Sequence, residues 1–133
     1  MEETKFTSLL KDFDKAVARL DEIVQMEKND VVRDSAIKRF EIVFDLGWKT
    51  LKACLEEKYN APCASPRACF REAFSQGLIP HDEFWIDITS LRNYTVHTYK
   101  ETLAEKVYAG LPKALEYFQK LLDILKKEKE ERD

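Results

Sequence analysis

Apolar residues recur three or four positions apart along most of the chain, the spacing of one face of an α-helix. The first stripe runs from Phe6 and predicts a helix ending near Glu27. The second stripe is rich in large rings, so the long helix that it predicts belongs at the centre of the core. It ends near Tyr59-Asn60, and Asn29-Asp30 can cap its start. Its apolar positions are Ile37, Phe40, Phe44, Trp48, Leu51 and Leu55.

Two shorter helices are predicted after this long one. Ser65-Pro66 places a capping hydroxyl before a proline at the first helical position, and Gly77 ends the short helix that follows. Pro80-His81-Asp82 begins the next helix. Its inward-facing residues are Phe84, Trp85, Ile88 and Leu91.

The last helix is predicted to begin at Thr102, because Thr102 and Glu105 have the spacing of a capping box. Gly110 and Pro112 should kink or split it, since proline removes a helical hydrogen bond. The charged tail 126–133 should form a solvated, fraying helix end.

The predicted fold is all-α, an antiparallel up-and-down bundle of four or five helices in a single domain, residues 1–133. The chain has 3 glycines and 4 prolines, so it can turn sharply at few places and long helices are favoured over many short strands. A hydrophobic share of 44% can fill one core, while a charged share of 35% solvates the outside.

The apolar runs are far too short to cross a bilayer, and the N-terminus lacks a signal peptide's basic start and apolar run. We therefore expect a cytoplasmic protein with no membrane contact. The net charge of −3 provides no global basic field for nucleic acid, so any RNA contact must be local.

Cys54, Cys63 and Cys69 form an odd set without CxxC spacing, which favours reduced thiols over a disulfide framework. A zinc site combining them with His81 and His97 lacks paired ligand spacing. The sequence therefore predicts no metal and no cofactor.

Arg92, Asn93, His97 and Tyr99 place a guanidinium, an amide, an imidazole and a phenol within eight residues. On an ideal helix Arg92 and His97 are about 140° apart and do not share a face. They can converge if the helix ends between them, if the arginine bends across, or if two copies of the chain meet.

These groups suit RNA cleavage without a metal, because RNA carries its own nucleophile in the 2′-hydroxyl. His97 could act as base or acid, Arg92 could hold phosphate oxygens, and Asn93 could orient the substrate or the histidine. The alternative is structural: Arg92 paired with Glu101 or with an acidic residue of another helix, and His97 capping a helix C-terminus.

The sequence resembles the HEPN domains, specifically the nucleotidyltransferase substrate-binding protein branch. Arg92, His97 and Tyr99 match its R-x4-H-x-Y motif without a gap. The other segments that carry the resemblance are 34–41, 48–52, 65–67 and 71–74. The resemblance implies a helical bundle that forms a homodimer, with the motifs of both chains lining one cleft. It also implies a minimal nucleotidyltransferase partner, commonly encoded nearby.

In the toxin–antitoxin members, the resemblance further implies a metal-independent RNase that the partner silences by adding AMP to the motif tyrosine, here Tyr99. The first hypothesis is therefore such a toxin. The alternatives are a non-catalytic substrate-binding subunit and a purely structural helical dimer. Glu41 and Asp45 could form a salt-bridged stripe or a second wall of the cleft, and Arg67 and Arg71 could hold phosphate or simply face solvent.

Overall fold

The computed structural model describes residues 3–132 of the chain, and the side chains of residues 3–130. Met1 and Glu2, on which part of the signal-peptide argument depends, and the last residues of the charged tail lie outside this description. Five α-helices and one 3₁₀ turn make up the order of elements. They are α1 (Lys5–Val24), α2 (Asp30–Tyr59), α3 (Pro66–Ser75), α4 (Phe84–Tyr94), the 3₁₀ turn (Thr95–His97) and α5 (Glu101–Arg132).

The three long helices α1, α2 and α5 pack against one another, and α3 and α4 form a hairpin against α2 and α5. The all-helical bundle predicted from the sequence is confirmed. Phe13, Phe40, Phe44 and Phe118 form the aromatic centre of the core, where α1, α2 and α5 meet. Trp48 lies at the edge of this core and is partly buried.

The predicted starts and ends of α2 and α3 are confirmed. The Asn29 side chain accepts a hydrogen bond from the Val32 amide, and the Ser65 side chain accepts one from the Ala68 amide. Asn60 ends α2 in the left-handed conformation, and Gly77 adopts φ +75° after α3, where a side chain would be strained. These boundaries define the two ends of the α3–α4 hairpin.

The predicted capping box at Thr102 is wrong. Helix α5 begins at Glu101, and the amides of Leu103 and Ala104 both donate to the Lys100 carbonyl at 3.0 Å. Thr102 therefore already lies inside the first turn. The Glu105 carboxylate binds Arg33 and Lys28 instead of an amide at the helix start.

Helix α5 is not split at Gly110 and Pro112. It runs without interruption from Glu101 to Arg132 with Pro112 inside it. Leu111, Ala114 and Leu115 are buried on either side of the proline, so packing compensates for the hydrogen bond that Pro112 cannot donate. Gly110 allows a close approach, because a Cβ there would lie 2.7 Å from Leu91 Cδ1.

Two further expectations are corrected by contacts far from the predicted motif. Cys63 and Cys69 form a disulfide with their Cα atoms 5.1 Å apart, because the loop before α3 folds back on its first turn. In the charged tail, Glu128 is buried and accepts a hydrogen bond from the Tyr59 hydroxyl at 2.6 Å, so this part of the tail is held against α2.

Candidate functional site

Helix α4 ends between Arg92 and His97, where the backbone changes to a 3₁₀ turn. Threonine side chains help to end it. The Thr95 hydroxyl donates to the Arg92 carbonyl at 2.7 Å, and the Thr98 hydroxyl donates to the Thr95 carbonyl at 3.1 Å. The sequence named a helix end at this point as one of three ways to bring Arg92 and His97 together, and the structure has that helix end.

The Arg92 guanidinium joins the end of α4 to the middle of α2. Its Nε and Nη2 lie 3.3 and 3.2 Å from the two Asp45 carboxylate oxygens, and its Nη1 lies 3.7 Å from Glu41 Oε2. Nη1 also donates to Thr95 Oγ1 at 2.8 Å. An ion pair with acidic residues of another helix is therefore present, as the structural alternative expected, although with α2 and not with Glu101.

His97, Tyr99 and Asn93 are exposed. The rings of His97 and Tyr99 lie edge to face with centroids 6.0 Å apart, and 78% of Tyr99 is accessible. Within residues 3–130, the side chains of these three residues have no hydrogen-bond partner, so each can accept or donate to an incoming molecule. Val96, beside His97, is exposed as well.

A groove of about 340 Å³ separates the segment after the 3₁₀ turn from the first half of α2. Tyr99 and Thr98 form one wall. Glu41 lies in the other wall and also contacts Arg92, so it connects the groove to the arginine. The complete lining is Asp34, Ile37, Lys38, Glu41, Thr98 and Tyr99.

The main residue that the sequence argument missed is Arg33, which is 5% exposed. Its guanidinium binds Glu101, Glu105 and Asp34, and so it fixes the start of α5 two residues after Tyr99. Hydrogen bonds from Lys28 and then Arg33 hold the pKa of Glu105 below its ordinary value. A lone arginine in a predicted apolar stripe, at the position before Asp34, was the available signal.

Arg67, Arg71 and His81 lie elsewhere, around a second groove between α3 and α4. In the part of the chain that the structure describes, no group of three or more His, Cys, Asp or Glu side chains is arranged to hold a metal ion. The residues of the R-x4-H-x-Y segment are thus assembled beside α2, apart from the arginines of α3.

The bundle, the helix end within R-x4-H and the exposed tyrosine two residues beyond it define the HEPN class of helical domains. Comparison with known families agrees: residues 8–127 match the family described as nucleotidyltransferase substrate binding protein like. The chain belongs to this family.

Individual relatives support the same assignment. A protein from Thermus thermophilus shares the fold with a TM-score of 0.80 and 37% identity, covering 85% of this chain and 98% of that one. A Haemophilus influenzae protein, described as having the fold of a substrate binding domain of a nucleotidyltransferase, has a TM-score of 0.76 and 27% identity over 88% of this chain and 98% of its own.

A curated relative from Haemophilus influenzae strain Rd, named probable ribonuclease HepT, is 31% identical over 86 residues. The match spans 62% of this chain and 59% of that relative's length. Among the described residues, no helix is both long and apolar enough to span a membrane.

Proposed function

We propose that this chain is the HEPN-type subunit of a toxin–antitoxin pair and acts in the cytoplasm as a metal-independent endoribonuclease. The observation that carries the proposal is the end of α4 between Arg92 and His97. It releases the two residues from the separate faces that a continuous helix would impose. The ribonuclease name of the Haemophilus influenzae relative supports the same activity.

In the proposed reaction, the RNA 2′-hydroxyl attacks the adjacent phosphorus. The His97 imidazole takes the hydroxyl proton as the new P–O2′ bond forms. The P–O5′ bond breaks, and the 5′ oxygen leaves with a proton from an imidazolium or water. The products are a 2′,3′-cyclic phosphate and a 5′-hydroxyl. The Arg92 guanidinium stabilises the charge on the phosphate oxygens, and Asn93 orients the substrate.

A second copy of the chain completes the proposed site. Arg92 carries one positive charge between two α2 carboxylates, Glu41 and Asp45, so one copy alone offers a phosphate little net attraction. A homodimer that brings two motifs to one cleft doubles the guanidinium and imidazole groups there. Val96 and Tyr99, which are exposed beside His97, supply apolar surface for such a contact.

The proposed regulator is a minimal nucleotidyltransferase encoded nearby, which transfers AMP from ATP to Tyr99. The Tyr99 hydroxyl attacks the α-phosphate, and pyrophosphate leaves. The accessibility of Tyr99 supports this assignment, since a transferase must reach the hydroxyl. The added AMP would place a phosphate charge beside Arg92 and compete with RNA.

The activity is tested with labelled RNA in the presence of EDTA. We expect the wild-type chain to cleave, Arg92→Ala and His97→Ala to lose cleavage, and Arg19→Ala, an exposed arginine on α1, to retain it. Expression of the two inactive variants should also relieve growth arrest. Intact RNA with the wild-type chain, or equal toxicity of all variants, would contradict the proposal.

The modification is tested by mass spectrometry after incubation with the partner and ATP. Tyr99→Phe should abolish the AMP adduct. Tyr94→Phe should retain it, because Tyr94 is partly buried with Lys106 Nζ 4.6 Å from its ring centroid. An adduct on another residue would overturn the assignment.

The second candidate function is a non-catalytic substrate-binding subunit of the nucleotidyltransferase. The two carboxylates that already bind Arg92 favour it, as does the printed description of the second Haemophilus influenzae structure. This candidate predicts tight binding to the partner, and no RNA cleavage in EDTA by any variant.

A further inference from the structure

A second groove, of about 270 Å³, lies between α3 and α4. One α3 stripe faces it, formed by Arg67, Phe70, Arg71 and Phe74, which are three or four residues apart and share a helix face. Phe70 is stacked on Trp85 with ring centroids 4.5 Å apart and closes the floor. The groove therefore combines an aromatic base with two guanidiniums.

The two guanidiniums of this groove are uncommitted. Arg33 and Arg92 bind carboxylates, whereas Arg67 and Arg71 have no ion-pair partner in the described part of the chain, and both are exposed. The one α3 carboxylate, Glu72, accepts a hydrogen bond from Gln76. Arg67 and Arg71 are therefore available to an external anion.

An exposed aromatic pair lies at the loop end of the groove. Phe74 is 46% exposed, and its ring centroid is 4.8 Å from that of His81. An exposed phenylalanine beside a basic stripe is the combination with which proteins stack bases of single-stranded nucleic acid. The groove carboxylates lie at this same end: Asp82 accepts a hydrogen bond from the Tyr117 hydroxyl, and Glu83 precedes α4. Phosphates are therefore favoured at the arginine end and a base at the aromatic end.

The hairpin directs the groove towards the candidate catalytic segment. The loop between α3 and α4 reverses the chain, so the start of α3, with Arg67, lies near the later part of α4. Thr89, three residues before Arg92, lines the same groove as Arg67. The arginine end of the groove is thus the end nearest to R-x4-H.

We propose that the α3–α4 groove binds single-stranded RNA next to the cleavage site, with Arg67 and Arg71 on phosphates and a base stacked on Phe74. The inference rests on the proposed function for the identity of its ligand. It assigns to Arg67, Arg71 and Phe74 a role in holding the substrate strand, distinct from the chemistry at Arg92 and His97.

The test measures RNA binding apart from cleavage. A His97→Ala chain keeps the RNA intact, and fluorescence anisotropy with a short labelled single-stranded RNA gives the Kd at several salt concentrations. The test variants in this background are Arg67→Gln/Arg71→Gln and Phe74→Ser. The matched control is Arg19→Gln, an exposed arginine on α1. All substitutions are at exposed positions, and circular dichroism checks the helical content.

We expect the double arginine variant to bind about 10-fold or more weakly and to lose roughly 1.4 from the log–log salt slope, about 0.7 for each phosphate released. Phe74→Ser should weaken binding about 10-fold with the slope unchanged, because stacking is not ionic. Arg19→Gln should bind like the parent.

An unchanged Kd and salt slope in the double arginine variant would overturn the inference, as would an equal loss in Arg19→Gln or no RNA binding by the parent. Binding only to an acidic peptide, and not to RNA, would also overturn it. Failure of the proposed function is distinguishable, because it gives groove-dependent binding without cleavage by the wild-type chain. Failure of the inference alone gives cleavage with a KM that Arg67→Gln/Arg71→Gln leaves unchanged.

Discussion

Asp45 binds Arg92 through both carboxylate oxygens, at 3.3 Å to Nε and 3.2 Å to Nη2. The contact joins residues 47 positions apart and fixes the guanidinium plane where α4 ends. An arginine held by two parallel hydrogen bonds keeps a defined orientation, whereas a lone ion pair at a surface does not. Asp45 is therefore a positioning residue for Arg92.

Asp45→Ala should lower the rate of RNA cleavage about 10-fold or more with KM little changed, because Arg92 loses its orientation and keeps its charge. The free energy of unfolding should fall by about 1 kcal/mol or less, since the pair is partly exposed. Kinetics and urea unfolding measure the two effects, with Asp12→Ala on α1 as the control. Faster cleavage by Asp45→Ala would show that the carboxylate inhibits Arg92 instead.

The Glu105 pair predicts a loss of stability in acid. Lys28 and Arg33 hold the pKa of Glu105 below its ordinary value of 4.5, so the unfolded chain binds more protons as the pH falls. The stabilisation is complete above about pH 4.5 and is lost progressively below it, towards the lowered pKa. Urea unfolding at about pH 7 and about pH 3.5 should show a smaller pH dependence for Glu105→Gln than for the wild type. Glu22→Gln, an exposed carboxylate on α1, is the control, and equal pH dependence in all three chains would contradict the prediction.

The Cys63–Cys69 disulfide closes a short loop and should contribute about 2 kcal/mol to the free energy of unfolding. Dithiothreitol should lower the Tm of the wild-type chain and leave that of Cys63→Ser/Cys69→Ser unchanged. Alkylation of the unfolded chain should leave both cysteines unmodified until a reductant is added. Modification of both without reductant would show that they are thiols in solution.

Gly110 permits the close packing of α5 on Leu91, the residue before Arg92. Gly110→Ala should destabilise the wild-type chain by about 1 kcal/mol through overpacking. In a Leu91→Ala background the same substitution should stabilise by about 1 kcal/mol, because alanine is the better helix former. Thermal unfolding of the four chains tests this reversal of sign, and an identical effect in both backgrounds would exclude the contact.

Local patterns predicted most of the fold. The aromatic stripe of α2 and the caps at Asn29 and Ser65 depend on neighbours within a few residues, and all three are confirmed. The capping box at Thr102 was wrong because Glu105 has stronger partners far away in sequence, Lys28 and Arg33. The continuity of α5 through Pro112 likewise depends on tertiary packing, which no local rule describes.

The candidate site divides in the same way. Its residue types and the helix end near His97 could be predicted from the R-x4-H-x-Y spacing. The Asp45 partner of Arg92, the role of Arg33 and the Cys63–Cys69 pair could not, because each joins elements whose relative position only the folded chain defines. The joint action of Arg92 and His97 stays a prediction.

A double-mutant cycle on the cleavage rate tests that joint action most directly. The single-turnover rate constant is measured in EDTA for the wild type, Arg92→Ala, His97→Ala and the double variant. We expect each single substitution to cost about 10²–10⁴-fold and the double variant to lose little more than the worse single one, because groups that act in one transition state are not additive. Losses that multiply, or a His97→Ala chain as fast as the wild type, would contradict a shared site.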